Sequence, residues 1–263
     1  MTTGRTVSKF QRLYVDGYDL SGYARSIGDL SCVFDTGIDD PMNKELKGSW
    51  IGQATIGCGT MNALFDNTAT TGIHALMSSP SGMRNVLVAH GIQAAPANND
   101  PAFCGQFPQL DYKAAPGENP VALTIAFGGA DARGVSLLYS QPFGILLHAL
   151  GAETAANTST GLDQGAQTTK GGYMMYQVTA AAGTGAITAT IKVQDADTNL
   201  DGSFGDLLSS GVINCGAGGV AVPTSNVVAL ATNATVKRYV RFQISFTLAT
   251  SVTFALAWVR NYI

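Results

Sequence analysis

The chain has 263 residues, of which 13% are charged and 46% hydrophobic, and its formal net charge is −3. This length allows one large β domain or two of ordinary size, of which we favour two, and the low charged share indicates a surface covered by copies of the same chain or a quiet Gly/Ala/Thr-rich surface. The net charge gives no sign of the basic surface that holds DNA and therefore disfavours a stable nucleic-acid binder, whereas a neutral or mildly acidic wall lets a polyanion pass.

The first elements in chain order are β-strands. The strand-like segment 11–15 meets Asp16 and Gly17, a pair that favours a tight hairpin turn. The chain is then predicted to be extended from residue 23 to residue 34. These segments predict the start of a β-sandwich.

A charged loop followed by a long strand-like segment is the most informative junction in the sequence. The loop covers residues 39–48, and the segment covers residues 52–67. Within residues 53–58, small apolar residues alternate with polar residues and glycine, which is the period of a half-buried strand.

One short helix is predicted within residues 67–77. Asn67 or Thr68 is its expected cap, and Ile73, Leu76 and Met77 share one face. Strands follow over residues 85–90 and 121–127, the second with Val121, Leu123, Ile125 and Phe127 on one face. The pattern predicts a β-sandwich with one packed helix.

The second half of the chain is predicted to be a separate β module. Residues 151–172 are rich in Gly, Ala, Thr, Asn and Gln and have no apolar period, which is typical of a linker. Strands are expected over residues 173–179 and 186–193, followed by a closing pair over residues 240–246 and 254–258. We therefore predict a domain over residues 1–158, a linker over 159–171 and an immunoglobulin-like or carbohydrate-binding-like β-sandwich over 172–263.

No catalytic motif is present in the sequence. His74, His90 and His148 are far apart and lack metal-ligand spacing, so we expect His74 to pack on the helix and the other two to cap strand ends. There is no nucleophile elbow, and no glycine-rich loop carries the Lys and Ser/Thr of a phosphate cradle. We expect neither an enzyme nor a bound cofactor.

One segment resembles a calcium loop. Asp197, Asn199 and Asp201 alternate before Gly202, so their oxygen atoms could converge on a hard cation. The twelfth position of that loop is Leu208, where a bidentate Glu is needed. We favour a polar strand connection that ends in a turn, and the three residues stand as the candidate metal ligands.

The cysteine pattern and the N-terminal sequence predict the cellular compartment of the protein. Cys32, Cys58, Cys104 and Cys215 form no C-x-x-C pair, so free thiols of a reducing cytoplasm are expected, with pairing across the fold as the alternative. The first residues lead into no hydrophobic signal core, and no apolar run reaches the roughly 18 residues that span a bilayer. We expect a soluble protein that does not use the Sec pathway.

Three features together resemble the tail-tube (major tail) proteins of long-tailed phages, over roughly residues 10–150. They are the strand pair around Asp16 and Gly17, the charged loop 35–49 that enters residues 52–66, and one helix after Asn67. Pro41 and Met42 near the start of the loop depart from the family pattern. Residues 170–263 resemble, in position and strand pattern, the extra β module that many such proteins carry outside the tube.

The resemblance implies a β-sandwich whose sheets continue into neighbouring copies to form hexameric rings, which stack into a hollow tube. It assigns residues 36–50 to ring stacking, with Asp39, Asp40, Lys44, Glu45, Lys47 and Trp50 as the contact residues. The implied partners are identical copies, other tail proteins at the tube ends, and phage DNA that passes without specific binding. The implied location is the virion tail, assembled in the host cytoplasm.

Two other readings stay open. Tyr173, Tyr176, Tyr239 and Trp258 could stack on a host-surface glycan, although Trp258 shares a face with apolar neighbours and is expected in the core. The chain could also be another virion β protein, such as a capsid decoration protein or a tail terminator, which would form a single ring and no stack.

Overall fold

The computed structural model describes residues 6–39, 48–80, 82–117, 119–129, 142–217, 220–221 and 223–262. The described chain is all-β with one short α-helix, which confirms the predicted fold class. In this part of the chain no helix has the length and apolarity to cross a bilayer. The strands are β1 Gln11–Val15, β2 Tyr18–Asp19, β3 Ala24–Ile27, β4 Leu30–Asp39, β5 Gly48–Cys58, β6 Thr60–Leu64, β7 Met83–His90, β8 Pro101–Pro108, β9 Lys113–Ala115, β10 Ala122–Ala126, β11 Phe143–Glu153, β12 Asn157–Thr158, β13 Leu162–Asp163, β14 Gly172–Ala196, β15 Gly205–Ser209, β16 Ile213–Ala217, β17 Val220–Ala221, β18 Thr224–Ala229 and β19 Tyr239–Arg260, and the helix is α1 Ile73–Met77.

The described strands form three antiparallel sheets. The largest has the order β17-β16-β14-β19-β11-β8-β7-β1-β2, with β12 and β13 also paired to β19 and β15 and β18 also paired to β14. A four-stranded sheet has the order β3-β6-β10-β9, and β4 and β5 form a two-stranded sheet. The predicted turn after β1 is confirmed, since Asp16 and Gly17 both have positive φ angles of 52° and 86°.

The N-terminal core lies between β1-β7-β8 and the four-stranded sheet. Side chains alternate along each strand, so every second residue of β1, β7, β8 and β10 is buried in this core. These buried side chains include Leu13, Val86, Phe103, Phe107 and Ile125. The predicted apolar face of residues 121–127 is thereby confirmed, with Leu123, Ile125 and Phe127 buried.

The C-terminal half is built on two very long strands, β14 and β19, which pair with each other over most of their length. Each bends near its middle, where the register shifts between Gly183 and Thr188 and where Leu248 has a φ of 60°. The two halves of the bent pair pack face to face, so Trp258 and Phe242 of the same strand lie in one core. The predicted closing pair over residues 240–246 and 254–258 is therefore wrong, because both segments belong to one continuous strand.

A third apolar cluster joins the two halves of the chain. It takes the alternate side chains of the same strands, including Tyr14, Leu87, Tyr173 and Met175. The Tyr173 hydroxyl donates a hydrogen bond to the Cys104 carbonyl oxygen at 2.9 Å. The molecule is therefore a stack of four layers of β-strands, and the three apolar clusters fill the three spaces between these layers.

The junction between the halves also holds buried polar groups. The Gly17 N–H donates to the Gln177 Oε1 at 2.6 Å, and the Gln177 Nε2 donates to the Asn85 carbonyl oxygen at 3.0 Å. A Cβ at Gly17 would collide with the backbone of Thr224. Close backbone approach at this glycine therefore adds to the contact between the halves.

The segment predicted as a linker, 159–171, lies against the C-terminal core. Its strand β13 pairs with β19. The Arg260 guanidinium, which is buried, donates to the carbonyl oxygens of Ala166 and Val236 at 2.8 Å and 2.7 Å and to the Thr168 Oγ1 at 3.0 Å. The segment is thus hydrogen-bonded to the fold, while the division into domains 1–158 and 172–263 stays a prediction.

The helix is shorter than predicted. It begins at Ile73, its cap is Gly72, and no side chain caps it, so the expected role of Asn67 or Thr68 is wrong. The reason is that the Asp66 Oδ1 accepts the Thr68 N–H at 2.6 Å, which holds the preceding residues in a turn. The predicted apolar face is correct, because Ile73 and Met77 are buried.

Candidate assembly surface

The long hairpin formed by β4 and β5 is the candidate functional site. Its strands pair from Leu30 opposite Cys58 to Asp39 opposite Gly48, which corresponds to a length of roughly 33 Å. At its root the chain passes from the four-stranded sheet into the hairpin at Gly28 and Gly59. A Cβ at either position would come within 2.9 Å of the opposing backbone, so the two chains cross closely there.

The inner part of the hairpin is anchored in the N-terminal core. Ile56 and Cys58 are buried there, and Leu30 and Cys32 pack against the same cluster. Burial raises the pKa of the Cys58 thiol to about 12, so this thiol stays protonated and behaves as an apolar side chain. The hairpin is therefore held firmly at one end.

The outer part of the hairpin, residues 33–39 and 48–55, leaves the core. Its two faces differ: the register shift between Phe34 and Thr36 places one extra residue on β5, so Val33, which is 59% exposed, lies with Thr55 on the face opposite that of Thr36. The Thr36 face carries exposed β-branched side chains, since Ile38 and Ile51 are each 74% exposed and Thr36, opposite Ile51, is exposed too. These are the residue types that pack best on a sheet surface, yet this face has no cover among the described residues.

The opposite face of the outer part carries Trp50. Its indole ring lies across Gly37, its partner on β4, so that a Cβ at Gly37 would collide with the ring. A Cβ at Gly52 would lie 3.0 Å from the same ring. The side chain is nevertheless 56% exposed, so the indole offers a broad apolar surface to a partner.

The outer strand edges of the hairpin also lack hydrogen-bonding partners among the described residues. Among the described residues, β4 and β5 pair only with each other, apart from a single bridge between Gly57 and Gly129 near the root. An isolated two-stranded hairpin is marginally stable in water, and an open strand edge is a template for pairing with another chain. The arrangement can therefore bind a further strand or sheet.

The structure describes two of the six predicted contact residues. Asp39 ends β4 opposite Gly48, and Trp50 lies in β5 opposite Gly37. The other four lie outside the described residues: Asp40, Lys44, Glu45 and Lys47. The exposed face with Ile38 and Ile51 was missed by the sequence prediction, because the alternation of Ile51 with Trp50 does not reveal which face is covered.

The candidate metal ligands contact three different partners. Asp197 lies 3.6 Å from the Lys237 ammonium, the Asn199 amide donates to the Gly161 carbonyl oxygen, and Asp201 forms an ion pair with Arg241. Within the described ranges, no group of three His, Cys, Asp or Glu side chains is arranged to hold a metal ion. The three residues stay untested as ligands.

The three histidines occupy different environments. His74 packs as predicted, with its Nδ1 2.7 Å from the Tyr112 hydroxyl, and His90 lies at the end of β7. The prediction is wrong for His148, which lies inside β11 and stacks on Phe254 at 4.1 Å between ring centroids. Its two ring nitrogens contact the Phe254 carbonyl oxygen at 3.1 Å and the Glu153 carboxylate at 3.0 Å, so it connects β11 to the neighbouring strand β19.

The aromatic side chains considered for glycan stacking are mostly inside the protein. Tyr173, Tyr176 and Trp258 are buried, and Tyr239 is half-buried. Trp258 lies in the C-terminal core, as predicted. These three buried rings offer no face to a ligand in this conformation.

Comparison with known proteins gives remote likenesses only. No protein-family model matches the chain, and no curated protein matches it. Among solved structures, the chain is similar to the SPP1 Dit (gp 19.1) protein, described as a paradigm of the hub adsorption apparatus in phages that infect Gram-positive bacteria. The two sequences are 12% identical, the match covers 96% of this chain and 99% of that chain, and the TM-score is 0.32. The chain is also similar to the infectious bursal disease virus VP2 subviral particle, with 10% identity, 98% and 69% covered, and a TM-score of 0.30. At these scores the likenesses carry no argument about function.

Proposed function

We propose that this chain is a structural virion protein whose copies close into hexameric rings and stack into a phage tail tube, the conduit for DNA delivery. The observation that carries the proposal is the long hairpin, which is anchored in the core at one end and exposes Val33, Ile38, Ile51 and Trp50 at the other. This exposed surface does not stabilise the monomer, whereas a second copy that covers it would bury the apolar side chains and pair with the open strand edges.

The physics of repeated contacts supports a ring and a tube. A contact between two different surfaces of one chain closes into a ring when successive copies are related by rotation, and it continues as a filament when they are also translated. Such obligate interfaces usually bury on the order of 2,000 Å² or more. Only the outer part of the hairpin, residues 33–39 and 48–55, leaves the core, and its length of roughly 23 Å is available for contact with a neighbouring copy.

The charge balance fits the remaining parts of the proposal. A chain with 13% charged residues and a net charge of −3 can line a lumen through which DNA passes without specific binding. We assign other tail proteins as partners at the tube ends, the virion tail as the location, and no enzymatic activity. The C-terminal half is assigned to the tube exterior.

Electron microscopy of the purified protein at high concentration tests the proposal. We expect tubes of stacked rings from the native chain and none from Ile38→Lys/Ile51→Lys, because two buried ammonium groups would oppose contact at that face. The matched control is Leu200→Lys/Val212→Lys, which changes two exposed apolar residues outside the hairpin. Tubes from both double variants, or a native chain that stays monomeric, would contradict the proposal.

The charged tip of the hairpin is tested separately. We expect Lys44→Ala/Glu45→Ala/Lys47→Ala to give shorter or less stable tubes with unchanged rings, since these residues are assigned to stacking. Unchanged tube length would remove the tip from the contact. Single rings from the native chain would instead identify a decoration protein or a tail terminator.

A further inference from the structure

A basic pocket lies apart from the hairpin, where the first strand of the chain meets the edge strand of the four-stranded sheet. It has a volume of about 240 Å³ and lies between the start of β1 and β3. Three cationic side chains line it: Lys9, Arg12 and Arg25. None of its lining residues is acidic, and no carboxylate in the described part of the chain forms an ion pair with these three.

The Arg12 side chain is held in place by the backbone. Its Nη1 donates to the carbonyl oxygens of Lys9 at 3.1 Å and Gln11 at 2.8 Å. A guanidinium has five N–H groups, and these two bonds leave the Nε and Nη2 edge without a hydrogen-bond partner among the described residues. That edge is the one that binds two oxygen atoms of an oxyanion side by side.

Hydroxyl groups complete the set of donors. Ser26 lines the pocket, and its Oγ accepts a hydrogen bond from the Asn62 Nδ2 at 3.1 Å, so its own hydrogen is left for a ligand. Ser8 adds a second hydroxyl at the rim. The pocket thus presents many donors and three positive charges on a chain whose net charge is −3.

We propose that this pocket binds a phosphate group. A phosphate dianion has enough charge and enough acceptor oxygens to engage Arg12 on two oxygens and Lys9, Arg25 and Ser26 on the others. A single carboxylate has one charge and two oxygens, which leaves part of this set unused. The site is independent of the long hairpin, so its occupancy and tube assembly can fail separately.

Calorimetric titration of the full chain with inorganic phosphate at low ionic strength tests the proposal. We expect saturable binding of one phosphate per chain, weakened about tenfold or more in Arg12→Gln/Arg25→Gln because charge-assisted hydrogen bonds are lost. Arg12→Lys keeps the charge but loses the paired edge, and we expect an intermediate affinity. The charge-matched control, Lys113→Gln/Lys170→Gln, should bind as the native chain does.

A second arm identifies the source of the phosphate. A short oligothymidylate is titrated with and without a 5′-phosphate, and a preference for the phosphorylated form that Arg12→Gln/Arg25→Gln abolishes would assign a terminal nucleic-acid phosphate. Binding of inorganic phosphate alone would assign free phosphate. Equal phosphate affinity in the native chain and in this double variant, or no saturable phosphate binding at all, would overturn the proposal.

Discussion

The two tryptophans of the chain mark two regions that differ in how completely they are packed. Trp258 is 0% exposed in the C-terminal core, whereas Trp50 is 56% exposed on the outer part of the hairpin. Both lie on strands of antiparallel pairs, Trp50 opposite Gly37 and Trp258 between Ile145 and Met174. The difference is in the neighbours: β14 and β19 are each flanked by further strands over much of their length, while β4 and β5 pair almost only with each other among the described residues.

This contrast indicates that stability and assembly depend on different parts of the molecule. The core around β14 and β19 supplies its own burial and its own strand partners. The outer hairpin has an uncovered apolar surface, which contributes stabilising burial only when another chain binds to it. Substitutions in the outer hairpin should therefore leave the stability of the chain nearly unchanged, and substitutions in the core that do not unfold the chain should leave assembly nearly unchanged.

The largest expected effect compares the two tryptophans directly. Trp258→Ala should lower the free energy of unfolding by about 3–5 kcal/mol, because it empties a large fully buried site. Trp50→Ala should change it by about 0.5 kcal/mol or less, because that ring is mostly in solvent. Urea denaturation followed by circular dichroism measures both, and similar losses would break the contrast.

A milder variant separates packing from polarity at Trp258. Its Nε1 is buried without a hydrogen-bond partner in the described part of the chain. Trp258→Phe removes this unsatisfied donor while it keeps most of the ring, so we expect a smaller loss than for Trp258→Ala. An equal loss in the two variants would show that the apolar volume of the ring does not carry the effect.

The second prediction concerns the segment 159–171. Arg260→Met should lower the free energy of unfolding by about 3 kcal/mol. The reason is that buried carbonyl oxygens, which accept hydrogen bonds from the guanidinium in the native chain, are left without a donor. The control is Arg238→Met, which removes an exposed ion pair with Asp163 of the same segment. Limited proteolysis should cut the segment faster in Arg260→Met only, and equal cutting in both variants would argue against a structural role for Arg260.

The sequence predicted the local elements better than their connections. Alternation located the strands around Ile56, Val88 and Ile125 because one face of each is buried. It failed for β14 and β19, because Gly183, Gly185 and the Thr-Ser pair at residues 250–251 have the composition of turns although the chain only bends there. Composition also made residues 159–171 resemble a linker, since the hydrogen bonds from Arg260 come from a residue about 90 positions away.

The candidate site was predicted in part for a related reason. The charged tip and Trp50 are visible in the sequence, whereas the exposed face with Ile38 and Ile51 depends on which face of the hairpin the core covers. The basic pocket brings together Lys9, which lies just before β1, Arg12 of β1 and Arg25 of β3, a strand of a different sheet. Neither arrangement follows from spacing along the chain.

The third prediction tests a charge inside the well-packed region. Burial raises the pKa of Asp195 above its ordinary value, although its carboxylate accepts the Lys237 N–H at 2.8 Å. A raised folded-state pKa means that the charged form weakens the fold above that pKa, and that this cost disappears as the pH falls through it. Asp195→Asn should therefore raise the urea midpoint at pH 7 and leave it unchanged at a pH below the pKa of the unfolded chain.

A surface carboxylate gives the opposite sign as a control. The hydrogen bond from Arg238 lowers the pKa of Asp163 to about 2, so the stability that this group contributes is present at neutral pH and is lost as the pH falls toward that value. Asp163→Asn should thus lower the urea midpoint at pH 7 slightly. If both variants shift the midpoint in the same direction, burial is not the cause of the Asp195 shift.

The smallest expected effect on stability belongs to the hairpin face itself. Ile38→Thr/Ile51→Thr keeps β-branched side chains in the strands and removes apolar surface that is already exposed, so the unfolding free energy of the isolated chain should change by about 0.5 kcal/mol or less. The same variant should raise the protein concentration needed for assembly, measured by light scattering, because the apolar contact with the next copy is weaker. A large loss of stability without a change in assembly would show that the face serves the fold of one chain and would remove the main support for the tube.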